Sequence, residues 1–330
     1  MSEVLAHVTR GGMVECIHRG DLAIVDTSGN IIHQIGDPYK VTYWRSAAKP
    51  FQLLPLVEVG GIQHFSFTSE ELALMTSSHS GEERHVATTI ALLGKLNQTP
   101  DTLECGTAAP LSQRAANELL RKGQFFNALT NSCSGKHCNM IALALLRNYK
   151  IPGYSQPTHP VQLEMLRTIS DMTGLMPKNI TIGIDGCGVP VFGMPLYNMA
   201  IAYAHLANPH TFSEPRRSAL QAISSAMIAN PYFVAGTSRL DTVLMEASNG
   251  RILAKLGAEG VYSISIMDRG LGLALKVEDG NIRAIGPVII EILSRLGFLT
   301  ATEFESLRSH WEVKVKNHRK ETIGTIKAVF

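Results

Sequence analysis

No stretch of this 330-residue chain strings together the roughly 20 apolar residues that a membrane-spanning helix needs. Nor is there a surplus of charge. Thirty Lys and Arg against 28 Asp and Glu leave a net charge of +2, which makes no electrostatic case for nucleic acid or a membrane surface. The opening residues, Met1-Ser2-Glu3-Val4, lack the basic and apolar regions of a secretory signal. Cysteine is sparse, odd in number and unevenly spaced, with five in all. That pattern argues against a disulfide framework and for reduced thiols, so the expected location is the cytoplasm. The sequons at Asn97 and Asn179 are then idle. What remains is an ordinary globular composition, 45% apolar and 18% charged, long enough to bury a large core.

The pattern along the chain changes twice. Residues 4 to 43 alternate polar and apolar, and Asp26-Thr27-Ser28-Gly29-Asn30 between Leu22–Val25 and Ile31–Ile35 predicts a hairpin. From about 46 to 250 the pattern is mainly helical. Val86, Ile90 and Leu93 recur at helical spacing behind a Ser80–Glu83 capping box. Met140 to Leu146 predicts a buried helix, Val161, Met165, Ile169 and Met172 a further one stopped at Gly174, and Asn179–Ile184 a short strand. After 251 strand character returns, at Val261–Met267, Gly272–Val277, Ile282–Ile285 and two final strands, with a helix at Val288–Leu296. Strands at both ends around a helical middle predict an α+β fold. The antiparallel sheet would come from about 1–45 and 251–330, with about 46–250 inserted as the helical part of one unit, 1–330.

Several familiar catalytic signatures are missing. No Gly-x-Ser-x-Gly elbow surrounds any serine, so a Ser-His-Asp hydrolase is unsupported despite His79 beside Ser78. Thr130 and His137 break a Walker loop around Gly135-Lys136, and Val191 breaks a dinucleotide fingerprint after Gly186-Cys187-Gly188. What is present is Ser46-Ala47-Ala48-Lys49, then Ser77-Ser78-His79-Ser80, then Lys255-Leu256-Gly257. Serine-acylating amide hydrolases place a lysine three residues after the serine, followed by a serine motif and K-T-G. Here Leu256 replaces Thr and no Ser-x-Asn is found. On a helix, Ser46 and Lys49 share a face. A lysine base must lose its proton well below the usual pKa of about 10.4, through burial or a neighbouring cation such as Lys255 or Arg45. Pro50 predicts an irregular first turn. Equally, Ser46 and the serines of Ser77–Ser80 can simply cap helices. A second cluster, Asn131 to Cys138 with Cys187 on a separate loop, is dense in sulfur and nitrogen. Such donors suit Zn²⁺, although free cysteines also serve as small buried apolar residues.

Together these segments resemble the rhizobial-type L-asparaginases, the asparaginase II family. The match includes Val8–Gly11, Glu15–Gly20, Arg45–Gln52, Ser78–Glu82, Cys105-Gly106, Asn131–His137, His159–Gln162, Asp185–Pro190, Ala235–Arg239, Lys255–Gly260 and Asp279–Asn281. The resemblance implies a serine β-lactamase-like fold, a homodimer, and hydrolysis of L-asparagine to L-aspartate and ammonia. Position by position it implies two Ser–Lys pairs, Ser46 with Lys49 and Ser78 with Lys255. It also implies substrate-binding Arg45 and Asp185, and zinc ligands Cys133, Lys136 and Cys187. Cys138 stands where a small residue is expected and could compete for the metal. Other readings are a glutamine or other ω-amide hydrolase, a penicillin-recognising acylase, and a non-enzymatic zinc-dependent binding protein.

Overall fold

A computed structural model describes all 330 residues and resolves into two compact units. The first comprises Met1–Ala47, Met194–Asn208 and Val243–Phe330. Seven of the eight strands of its sheet run in the order Val313–Lys316, Thr322–Ala328, Glu3–Arg10, Met13–Asp26, Leu271–Val277, Val261–Ile266, Ile252–Gly257. Ile31–Ile35 also pairs with Met13–Asp26, and every pairing is antiparallel. The expected hairpin is there, with Leu22 opposite Ile35 and Val25 opposite Ile31. Leu22, Ala23, Ile24 and Val25 are all buried, so both faces of the sheet are covered at this point. The helix Leu196–Ala207 packs on Leu271–Val277, and Gly272 permits it: a Cβ there would lie 1.9 Å from the Ala200 carbonyl oxygen.

Residues 44 to 47 are pinned to this sheet. The Trp44 indole donates to Ser263 Oγ at 3.2 Å, and Tyr203 Oη donates to the Ala47 carbonyl at 2.7 Å. Ser265 Oγ donates in turn to the Tyr203 carbonyl, so each buried polar end is satisfied. A glycine is required at 257, where a Cβ would sit 2.9 Å from the Trp44 carbonyl oxygen. The edge strand Ile252–Gly257 thus lies directly against the segment that carries Arg45 and Ser46.

The second unit, Ala48–Gly193 with Pro209–Thr242, is mainly helical. Its core helix, Ser134–Leu146, is buried from Ser134 through Ala144 and packs against Lys49–Glu58, Ser69–Met75 and Glu83–Lys95. A Cβ at Gly135 would come within 2.2 Å of the Leu74 carbonyl oxygen. Glycine therefore lets the start of this helix approach the chain just ahead of Ser77 and Ser78. The helix Pro160–Thr173 ends at Gly174 in the left-handed conformation, as expected. No helix is long and apolar enough to cross a membrane.

Four local expectations are corrected. The helix behind Ser80 starts at Glu83 with Glu82 and His85 as its capping box, and Ser80 Oγ instead donates to the Ala235 carbonyl. Its buried face is His85, Thr89, Leu92 and Leu93, leaving Ile90 exposed, because the neighbouring Ser134 and Tyr232 offer polar partners. The helix Ser134–Leu146 begins within the sulfur-rich cluster, not after it. Ile282–Ala284 is a 3₁₀ turn leading into the helix Ile285–Arg295, not a strand, because the Asn281 side chain accepts the Arg283 N–H and starts the helix.

Candidate active site

In the helical unit, Lys49 opens the helix Lys49–Glu58, with Pro50 in its first turn, directly after the 3₁₀ turn Arg45–Ala48. The irregular first turn expected from Pro50 is present. Lys49 is buried, and its Nζ donates to the Ser77 carbonyl at 2.5 Å and to Ser78 Oγ at 3.2 Å, with Cys133 Sγ at 3.3 Å. A buried amine needs partners to replace its water, and the Ser77–Ser78 turn supplies them. The Ser78 N–H is held by the Val234 carbonyl at 3.0 Å. Ser78 thus sits beside Lys49.

Cys133 and Lys136, three residues apart, lie at the start of the helix Ser134–Leu146. Cys187 and Asp185 come from the turn of an antiparallel hairpin, Thr181–Ile184 with Pro190–Pro195. Lys136 Nζ lies 3.0 Å from Cys187 Sγ and 3.8 Å from Asp185 Oδ2. The two thiol sulfurs and an Asp185 oxygen all fall within 4.8 Å of one another. A hydrogen bond from Cys133 is the main cause holding the Cys187 thiol down at about 5, with Lys136 acting in the same direction against burial. That bond, together with burial, pushes the Cys133 thiol up to about 12. The pair shares one proton between those limits. Burial opposes the charge on Lys136, but the adjacent Cys187, Cys133 and Asp185 overcome it and raise its pKa. Two soft sulfurs, an amine and a carboxylate in so small a volume fit a borderline-soft divalent cation such as Zn²⁺.

Neighbouring residues in the motif have other duties. Cys138 is fully buried and is not among the converging sulfurs. Tyr154 Oη accepts the Glu104 N–H and donates to His137 Nδ1 at 2.7 Å, which makes His137 a packing partner rather than a member of the sulfur group. Burial, with Lys136 next, drives the His137 imidazole down to about 3. His79 Nδ1 accepts the Gly81 N–H, so its Nε2–H points to Ser134 Oγ at 2.8 Å and ties the serine turn to the start of the cysteine helix. Nothing in the sequence pattern announced the approach of Cys133 to Lys49 or the His79–Ser134 tie, since the partners are 84 and 55 residues apart.

The sheet unit holds Arg45, Ser46 and Lys255. Ser46 is half-buried on the turn Arg45–Ala48, and Arg45 has φ +52°, a left-handed conformation that a non-glycine residue seldom adopts. Lys255 is fully buried on the edge strand, opposite Ser263, and its Nζ donates to the Leu256 carbonyl at 3.0 Å. Leu256, where a hydroxyl residue is common in the family it resembles, pairs with Tyr262. Glu259, absent from the expected site residues, places Oε1 3.9 Å from Arg45 Nη1. Its signal in the sequence was Glu259-Gly260, a pair in which both residues take positive φ.

The sequence matches the family described as L-asparaginase II across residues 6–328. The chain belongs to that family. Membership in the L-asparaginase II family supports an amidohydrolase role. A search of curated proteins finds no match. Among solved structures, a β-lactamase from Mycobacterium bovis is similar at 11% identity and a TM-score of 0.41, over 84% of this chain and 94% of that one. A class C β-lactamase from Rhodobacter sphaeroides gives 12% and 0.38, over 83% and 95%. Mglu in its L-glutamate binding form gives 16% and 0.39, over 85% of this chain and 61% of Mglu. At these scores the likenesses carry no argument about chemistry.

Proposed function

We propose that this chain hydrolyses the side-chain amide of L-asparagine, giving L-aspartate and ammonia through an acyl-enzyme formed on a serine. The observation that carries the reading is the buried Lys49 amine 3.2 Å from the Ser78 hydroxyl, in a member of an amidohydrolase family. A neutral lysine at hydrogen-bond reach of a serine can take its proton as the hydroxyl attacks a carbonyl carbon. In the proposal Ser46, three residues ahead of Lys49 in the chain, is the nucleophile. Lys49 is the base, Ser78 passes the proton onward, and Lys255 is the second lysine. Attack on the amide carbon gives a tetrahedral oxyanion. Its collapse breaks the C–N bond, and the proton taken from the serine goes to the departing ammonia. Water then adds to the ester, the same lysine takes its proton, and the proton passes to the serine oxygen as the acyl C–O bond breaks and aspartate leaves.

Arg45 is proposed to bind the substrate α-carboxylate, since its planar guanidinium can meet both oxygens at once. Cys133, Lys136 and Cys187 are proposed to hold one Zn²⁺, with Asp185 alongside. When bound, the ion supplies positive charge that orients the substrate or the Asp185 turn, because the serines already provide a nucleophile. The test is ammonia release from L-asparagine and L-glutamine by the purified chain. Turnover of asparagine at least tenfold more efficient than of glutamine is expected, within the range that one methylene can give. Absence of ammonia from asparagine removes the reading.

A further inference from the structure

We propose that Glu259 is a substrate-binding residue that reads the α-ammonium group, forming with Arg45 a two-charge clamp for a zwitterionic amino acid. The inference rests on the asparaginase reading and extends it. An α-amino acid carries its positive and negative groups on one carbon, so a site that selects it needs an anion beside the cation. The sheet unit builds such a pair. Arg45 Nη1 and Glu259 Oε1 are 3.9 Å apart, too far for a hydrogen bond, at the outer limit of an ion pair. Glu259 is largely exposed and Arg45 only partly so, which leaves the carboxylate accessible from solvent.

The geometry is built in rather than incidental. Gly257 lets the edge strand close on the Trp44 carbonyl, which brings residues 258 to 260 beside Arg45. Both members of the pair hold left-handed backbone conformations, φ +52° at Arg45 and +59° at Glu259, and Gly260 follows at +71°. Such backbone strain persists only where the surroundings over-determine it, and it concentrates at functional sites. Lys276 Nζ donates to the Glu259 carbonyl at 2.8 Å, fixing the turn through its backbone. A Cβ at Gly280 would lie 2.9 Å from Glu259 Oε2, so a glycine leaves room for the carboxylate against the next turn. That turn is itself latched, with His18 Nδ1 2.7 Å from Asp279 Oδ2 and Arg283 Nε donating to His18 Nε2 at 2.9 Å. Asp185, the other carboxylate that the family resemblance implies at the substrate, already has partners of its own. Its Oδ1 accepts the Gly186 N–H at 2.9 Å and its Oδ2 faces Lys136 and the two thiols.

The experiment compares L-asparagine with succinamate, which keeps the amide and the carboxylate but has no ammonium, in the wild-type chain and in Glu259→Gln. Glu259→Asn, whose side chain tolerates positive φ, serves as a second variant. For asparagine, kcat/KM should fall roughly 10- to 100-fold, mainly through KM, as expected for a lost charge-assisted contact. For succinamate it should stay within about twofold, so the preference for asparagine collapses. Calorimetric binding of L-aspartate against binding of succinate reads the same ratio without turnover. Equal losses for both compounds would mean that Glu259 only positions Arg45, and unchanged preference would mean that it touches neither group; either overturns the proposal. A wild-type chain inert toward asparagine would instead sink the asparaginase reading, and the binding ratio would still test the clamp.

Discussion

Binding of a divalent cation to the thiol cluster should release a countable number of protons, and that number distinguishes two ligand sets. Near neutral pH the Cys133–Cys187 pair holds one proton, lost only at about 12, and Lys136 is an ammonium with a raised pKa. A cation held by Cys133, Cys187 and Lys136 must expel the shared thiol proton and one from the ammonium, about two protons per ion. If Asp185 replaces Lys136, its carboxylate is already ionised and only about one proton leaves. Apparent zinc affinity should therefore fall about a hundredfold per pH unit with the lysine ligand, or about tenfold with the aspartate. The sign is fixed: protons compete for the ligands, so binding weakens as pH falls. Below about 5, where the second thiol takes its proton, the slope should steepen by one. Calorimetric zinc titration of chelator-stripped protein, in buffers of different ionisation enthalpy between pH 6 and 8, counts the protons directly. A slope of one assigns Asp185 in place of Lys136. No proton release, or no binding at one ion per chain, refutes the thiol-cluster reasoning.

Three further outcomes follow from named residues. Ser46→Ala and Lys49→Met should each lower asparagine turnover by roughly 10³-fold or more while leaving far-ultraviolet circular dichroism intact; near-normal rates remove that residue from the mechanism. Cys187→Ser should lose the cation and Cys138→Ala should keep it, as read by elemental analysis, because only the first sulfur faces Cys133; the opposite result moves the site. Gly257→Ala should cost about 1–3 kcal/mol of stability in denaturant unfolding, since the new methyl group meets a backbone carbonyl that cannot swing aside; an unchanged midpoint would mean the edge strand does not need its close approach to Trp44.

Much of the architecture was legible in sequence because it depends on neighbours along the chain. The hairpin around Asp26–Asn30, the buried run after Met140, the stop at Gly174 and the returning strands after 251 follow from periodicity and turn residues alone. The reactive residue types were legible too, as Ser46, Lys49, Ser78, Cys133, Lys136 and Cys187 stand in short motifs. Their partners were not. That Lys49 meets Ser78 and Cys133, that Asp185 joins the thiols, that His137 turns to Tyr154 and that Glu259 faces Arg45 are outcomes of packing between segments far apart in sequence. The helix behind Ser80 was misjudged for the same reason: periodicity counts apolar residues, but His85 and Thr89 take the buried face because partners there satisfy their polar atoms. Local sequence determines which chemistry is available and the type of most elements. The tertiary structure decides which donor meets which acceptor, because burial strips each charge and hydroxyl of water and leaves only the partners that the fold brings within reach.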